Sequence, residues 1–522
     1  MADKRTFRRR DFVKLLGLVA AAAALPYVAG KVRQPVFWGN PFQLGVASGS
    51  PDATGFVLWT RLHSEQLTDD DVLVEWELLD ADEPAKVVRQ GQAVALAALA
   101  HSVHVELDGL KADHWYHYRF RVAGYQSRLG KARTLPATGQ ALSSFRLAYA
   151  SCQRYEDGYY TAYRHMREQQ PDLVCFVGDY IYEYRSRAGA PRPHSLRRIR
   201  TLDDYRARYA LYKSDPDLQA MHAACPWLVT WDDHEVENNY FGQQSTEGRG
   251  DISRLRAAAY QAFYEHMPLR SDSLIAGIEG LLKHGSLQLY QTLAVGNLAR
   301  LYLLDNRQYR AAPYCGDSPS DGVAAVCAAA EPYRSMLGEA QEGWLEQAML
   351  SEQAQQARWH LVVQQTRFTP ANYHAGALRH MNRDSWDGYP QARARLLQLF
   401  EQSSHDNLMV LGGDIHQNWV AKVHAEPYNN ESKVVATEFT GTSISSRSNA
   451  TAAGMRRHLN RNPHLLYANA EYRGYGLVTI QHSKTDVTLF AVEESTKPDS
   501  VVSVLASFSV PAGKPAELRQ LS

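Results

Sequence analysis

Residues 173–184 read LVCFVGDYIYEY. The first five, Leu173 to Val177, form an unbroken apolar run of strand length, the pattern of a strand buried on both faces in an α/β sheet. The next residues are ones a strand core would not choose: Gly178, Asp179, Tyr180, Tyr182 and Glu183. A carboxylate at the tip of a buried strand is unfavourable unless a cation or hydrogen-bond donors compensate it. The stretch therefore predicts a layered α/β domain in which the strand buries and its end chelates.

Three other apolar runs end in the same way. FRLAYA is followed by Ser151-Cys152-Gln153, PWLVT by Trp231-Asp232-Asp233-His234-Glu235, and LMVL by Gly412-Gly413-Asp414-Ile415-His416. Functional side chains collect at such strand ends in open α/β sheets. The glycines before Asp179 and Asp414 permit a sharp turn and a close approach to a ligand. Asp414 and His416 are two apart, so an extended segment points both the same way. Thiolate, carboxylate, phenolate and imidazole together suit Fe(III) better than zinc, which prefers His, Cys and carboxylate. Each piece alone has an ordinary reading: GD as a turn, DDHE as a helix start capped by Asp232 or Asp233, Cys152 as packing. Their conjunction favours one metal site.

Around this core the chain divides by pattern. Residues 36–135 alternate in short strands with turn residues between them, as in an antiparallel β-sandwich. LPATGQALSS at 135–144 is a linker. From 144 to 522 strands alternate with helical stretches such as 201–224 and 338–357, while the closing runs YGLVTIQH and TDVTLFAVEES are read as finishing a second sheet. Lys+Arg and Asp+Glu both number 56, which leaves no broad field to recruit nucleic acid or an anionic membrane. Residues 1–30 carry a basic head and a short, alanine-rich apolar stretch, an export address rather than a membrane span. Five cysteines, an odd number, leave at least one unpaired. Cys315 and Cys327 are the expected disulfide, Cys175 and Cys225 small buried hydrophobes.

The order of motifs FQLGVASGSP, SCQ, CFVGDYIYEY, TWDDHEVENNY, LDNRQYR, GEAQEGWL, VVQQTRF, LGGDIH and EFTGTSIS closely resembles the PhoD-like family of exported alkaline phosphatases and phosphodiesterases, a branch of the metallophosphoesterases. The resemblance implies a metallophosphoesterase-type β-sandwich flanked by helices, preceded by a small antiparallel sandwich of immunoglobulin or fibronectin type. It implies Fe(III) held by Cys152, Asp179, Tyr182, Asp414 and His416, with Asp179 shared with a Ca2+ site. Asn239, next to Asn238, is the implied calcium ligand. Asp233 stands where ordinary relatives keep a ligand asparagine, His234 where they keep the catalytic histidine, and Gln365 where many have a metal-binding histidine. Oxygen in place of nitrogen suits calcium. Asn306 replaces an expected threonine and Ser50 an expected aspartate.

The implied reaction is hydrolysis of phosphate mono- or diesters by water activated at iron, with His234 assisting the leaving group and Arg154 or Arg367 as candidate phosphate clamps. Arg9-Arg10-Asp11-Phe12-Val13-Lys14 resembles a twin-arginine signal, so the expected partner is the twin-arginine translocation machinery and the expected location periplasmic or secreted. Two rival readings are a phospholipase-like diesterase and a non-catalytic surface-binding protein with a structural metal. The segment 185–200 holds seven arginines or histidines and reads as a solvated loop.

Overall fold

The computed structural model describes residues 34–273, 287–313, 323–325, 334–373 and 380–521. The signal segment and the expected Cys315–Cys327 pair lie outside them.

The strand Leu173–Val177 is buried along its whole length. It runs parallel to Ser144–Ala150 on one side and to Pro226–Thr230 on the other. Strand geometry sends alternate side chains to opposite faces, and both faces are covered here. Leu173, Cys175 and Val177 enter an apolar core shared with a second sheet through Leu301, Leu361 and Met409. Val174 and Phe176 enter another, shared with Tyr163, Tyr209 and Phe263 of the covering helices. Cys175 and Cys225 are both free and buried.

Among the described residues the first sheet has ten strands, with Ser144–Ala150, Leu173–Val177 and Pro226–Thr230 near its middle. The closing strands extend this same sheet, not a second one: Arg473–Gln481 pairs antiparallel with Ser144–Ala150, and Lys484–Val492 pairs antiparallel with Arg473–Gln481. The second sheet has seven described strands, and Ala299–Leu303, Trp359–Val363, Leu408–Gly412 and Val434–Thr440 are parallel at its centre. Helices Thr161–Glu168, Leu202–Lys213, Pro216–His222 and Ser253–His266 contribute to the core outside the first sheet. Glu339–Leu350 and Pro390–Ser403 do the same outside the second. Leu202–Lys213 begins where a reciprocal Thr201–Asp204 capping box satisfies its first amides.

Residues 36–135 form two facing layers around Val72, Leu78, Tyr118 and Phe120. One layer is a separate antiparallel sheet built on Val72–Asp80 and Trp115–Val122. The other layer, Val46–Gly49, Phe56–Arg61 and Ser102–Leu107, is the far end of the ten-stranded sheet, because Val46–Gly49 runs parallel to Pro226–Thr230. The alternation that predicts strands does not say which neighbour they take. Both faces of these strands are covered, with Trp59 and Ala47 packing toward Ala210.

Candidate metal centre

The four strand ends meet at one edge of the facing sheets. Two glycines make the approach possible. A Cβ on Gly178, whose φ is +105°, would lie 2.4 Å from Asp232 Cβ, and one on Gly413 would lie 2.4 Å from Ser151 Oγ. Beyond them the backbone is unusual: Cys152, Asp179, Asp414 and His416 all have φ between +54° and +67°, and Asn239 has +55°. Each such non-glycine residue costs roughly 1–3 kcal/mol and persists where the surroundings over-determine it, as at ligand sites. Glu235 supplies part of that constraint. Its carboxylate accepts the N–H groups of Asp179 (3.1 Å), Tyr180 (2.6 Å) and Asp232 (2.9 Å), tying two strand-end turns together. Residues 231–240 form turns, so the capped-helix reading of DDHE does not apply.

The side chains fall into three overlapping groups, each with ligand atoms within 4.8 Å of one another: Cys152, Asp179 and His416; Asp179, Asp233 and His234; Asp232, Asp233 and Asp414. Tyr182 joins the first. Its hydroxyl donates to Asp179 Oδ2 at 2.7 Å and lies 3.1 Å from His416 Nε2. His416 Nδ1 faces the Arg447 carbonyl at 2.7 Å, an acceptor only, so Nδ1 carries the proton and Nε2 keeps its lone pair free for a cation. The Asn239 N–H donates to Asp233 Oδ2 at 2.6 Å. The Asn239 side-chain amide lies 3.0 Å from Asp233 Oδ2 and 3.3 Å from Asp384 Oδ2. With its nitrogen toward them it donates; with its oxygen toward them it completes an all-oxygen cluster of the kind calcium takes.

The donor set fits a multivalent cation. Burial, reinforced by the negative neighbours Asp179 and Asp414, pushes the Cys152 thiol well up, and burial with Asp179 does the same to the Tyr182 phenol. Burial also raises Asp179 and Asp232 well above the carboxylate range and Asp414 to about 6. Asp232 Oδ2 and Asp233 Oδ1 are buried without a hydrogen-bond partner. Such a set ionises together only around positive charge. His234 donates from Nδ1 to Glu183 Oε2 at 2.8 Å; burial disfavours its charged form, but Asp233, Glu183 and Asp179 outweigh this and raise its pKa.

Two further members, Arg307 and Asp384, lie outside the strand-end acids. Arg307, fully buried, pairs with Asp232 and with Asp384 (2.7 Å) and lies 3.6 Å from Asp414 Oδ1. Asp384 also pairs with Arg310 at 2.8 Å. The only signal for the arginine was its place in LDNRQYR.

Two candidates fall elsewhere. Gln365 is buried, with its amide nitrogen donating to Thr230 Oγ1, Trp231 O and Leu304 O, and its oxygen accepting from Asn306 N. It braces the strand ends rather than facing the acids. Arg367 is buried in an ion pair with Asp387 at 2.6 Å, stacked 5.2 Å from the Trp419 ring, so it is a core cation and not a phosphate clamp. Arg154 does lie at the mouth, 5.6 Å from the Tyr182 ring and bonded to Glu156 at 2.6 Å. The segment 185–200 is less free than expected, since Arg187, Arg192, Arg197 and Arg198 pair with Asp157, Asp215, Asp204 and Glu247. Asn306 donates to Gln364 Oε1 below the site, and Ser50 donates to Pro268 O away from it.

Comparison with known proteins agrees with this architecture. The family model for PhoD-like phosphatase matches residues 147–489, and that for its N-terminal domain matches residues 29–136. Alkaline phosphatase D of Bacillus subtilis (strain 168) is 40% identical, over 97% of this chain and 88% of that protein. A solved PhoD structure superposes with a TM-score of 0.86 at 40% identity, over 94% of this chain and 93% of the other. A purple acid phosphatase from yellow lupin seeds shares the fold at a TM-score of 0.50 and 14% identity, over 93% of this chain and 76% of its own. The metallophosphoesterase-type sandwich with helices outside is thus the fold, and the chain belongs to the PhoD-like phosphatase family as an enzyme hydrolysing phosphoric esters.

Proposed function

We propose that this phosphoesterase holds Fe(III) through Cys152, Asp179, Tyr182, Asp414 and His416 and Ca2+ through Asp179, Asp233 and Asn239, and acts outside the cytoplasm after twin-arginine export. The observation that carries the reading is the approach of Cys152, Asp179 and His416 to within 4.8 Å on three separate chain segments, with the Tyr182 hydroxyl among them. Bound there, the two metals supply an acidified water and positive charge for the phosphoryl oxygens.

The remaining work falls to the chain itself. His234, with Nδ1 on Glu183, has Nε2 left to donate a proton to the departing alkoxide. Arg154 borders the same space and supplies a planar guanidinium for a phosphate ester. Asn239 and the left-handed turns hold the acidic groups in place without reorganisation during the reaction. For export the support is the Arg9-Arg10 segment, and no helix among the described residues is long and apolar enough to cross a membrane. Membership of a phosphatase family removes the non-catalytic binding alternative.

The test is elemental analysis of protein from its native export route, with rates on p-nitrophenyl phosphate, bis(p-nitrophenyl) phosphate and a phospholipid, before and after chelation. Iron and calcium bound together, with activity lost on their removal, is the expected result. Full activity in iron-free protein would refute the assignment, and a rate confined to the lipid would favour the phospholipase-like reading.

A further inference from the structure

The LVCFVGDYIYEY stretch ends in three residues, of which the metal assignment uses only Tyr182. All three close around His234. The Tyr182 ring lies over the imidazole with centroids 4.2 Å apart and planes inclined 31°, and the Tyr184 ring meets it edge-on at 5.4 Å and 69°. Between them Glu183, 2% exposed, accepts from His234 Nδ1 through Oε2 at 2.8 Å and from the Asn238 N–H through Oε1 at 3.1 Å.

The grip is itself anchored. The Tyr182 carbonyl accepts from buried Arg208, and the Glu183 carbonyl accepts from the Ile199 N–H at 3.0 Å. Arg198 Nη2 stands 3.7 Å from Glu183 Oε1 and pairs with Glu247 on the facing loop. A buried carboxylate on one imidazole nitrogen selects the tautomer, aims the other nitrogen and stabilises the protonated ring.

We infer that Glu183 is the positioning residue for His234, with Tyr182 and Tyr184 as the walls that keep the ring in one plane. The inference rests on the proton-donor role of His234 proposed above. Glu183 holds Nδ1–H, so Nε2–H is the proton delivered to the leaving oxygen. After transfer, His234 is a neutral imidazole that regains a proton from water before the next turnover. Glu183 keeps its charge throughout.

The experiment compares Glu183→Gln, His234→Asn and the double variant on two substrates. One is p-nitrophenyl phosphate, whose leaving group departs as a stable phenolate, and the other is an alkyl phosphate, whose leaving group needs the proton. For Glu183→Gln the expected kcat loss is about 10–100-fold on the alkyl ester and no more than about 3-fold on the aryl ester, with iron and calcium per chain unchanged. Added to His234→Asn, the substitution removes nothing further, because there is no imidazole to place.

An equal loss on both esters, loss of metal, or an additional loss in the His234→Asn background overturns the inference and makes Glu183 a staple of the 234–238 turn. Should Glu183→Gln fail to fold, the same comparison with Glu183→Asp, which keeps the charge but shortens its reach, decides by the same criterion. Wild-type protein that cleaves neither ester in its metal-loaded form overturns both this role and the proposed chemistry. An active wild type with a variant indifferent to the leaving group overturns this role alone.

Discussion

Lys213 ends the helix Leu202–Lys213 and is 1% exposed. Its ammonium sits 4.4 Å from the centroid of Trp59 and 5.2 Å from that of Tyr180. Burial draws its pKa from 10.5 down to about 7. Because the folded value lies below the unfolded one, the unfolded chain binds more protons between pH 7 and 10.5, so this residue's contribution to stability rises with pH in that window. The penalty is complete below pH 7 and gone above 10.5. At roughly 1.4 kcal/mol per pH unit the gap is worth about 5 kcal/mol, of which the two ring faces offset up to about 2. Lys213→Met keeps the length of the side chain and removes the charge. It should stabilise the fold by about 2–4 kcal/mol at pH 7 and by less than about 1 kcal/mol at pH 10. The assay is the difference in urea midpoint between variant and wild type at the two pH values, in which titrations common to both proteins cancel. A difference independent of pH, or a variant destabilised at pH 7, would show that the ammonium is well solvated and the reasoning wrong.

Further outcomes concern the metal centre. Asp179→Ala or His416→Ala should lose both iron and activity, whereas His234→Ala should keep the metals and slow turnover by about 10²–10⁴-fold; metal loss in the latter would misassign the histidine. Gly178→Ala combines a φ of +105° with a clash against Asp232, so it should destabilise by about 2–5 kcal/mol and lower iron content. Gly124→Ala, with φ +82° in open space, should cost only about 1–2 kcal/mol and leave metal content alone. Iron-loaded protein should show a visible tyrosinate charge-transfer band that Tyr182→Phe abolishes, and a band surviving that change would remove Tyr182 from the ligand set.

The strand ends were legible because their signal is local. An apolar run, a glycine and then an acid are neighbours in the chain, and each says something physical before any fold is known. Arg307 carried no such signal, since its burial depends on Asp232 and Asp384, 75 and 77 residues away, and an isolated arginine reads as solvated. Asp384 stands in a turn after the short strand His380–Asn382, whose sequence HMN lacks the apolar run and glycine that mark the other acids. Gln365 and Arg367 depart from expectation for a common reason: motif position says where the backbone passes, not which groups a side chain faces. Periodicity showed the strands of 36–135 but not their partners, because register between distant segments is set by packing.

Val46–Gly49 has a consequence for how the polypeptide is made. Ser48 pairs with Pro226, so the strand, though soon joined by Phe56–Arg61 on one side, leaves the ribosome 178 residues (226 less 48) before its parallel neighbour exists. A nascent chain of that intermediate length exposes an open sheet margin, the surface most prone to wrong association. Cutting at the 135–144 linker would therefore not release two self-sufficient pieces, because the leading fragment would lack its template and the trailing one would bare an edge. Assembly has to be completed as a unit, with both halves of the chain at hand.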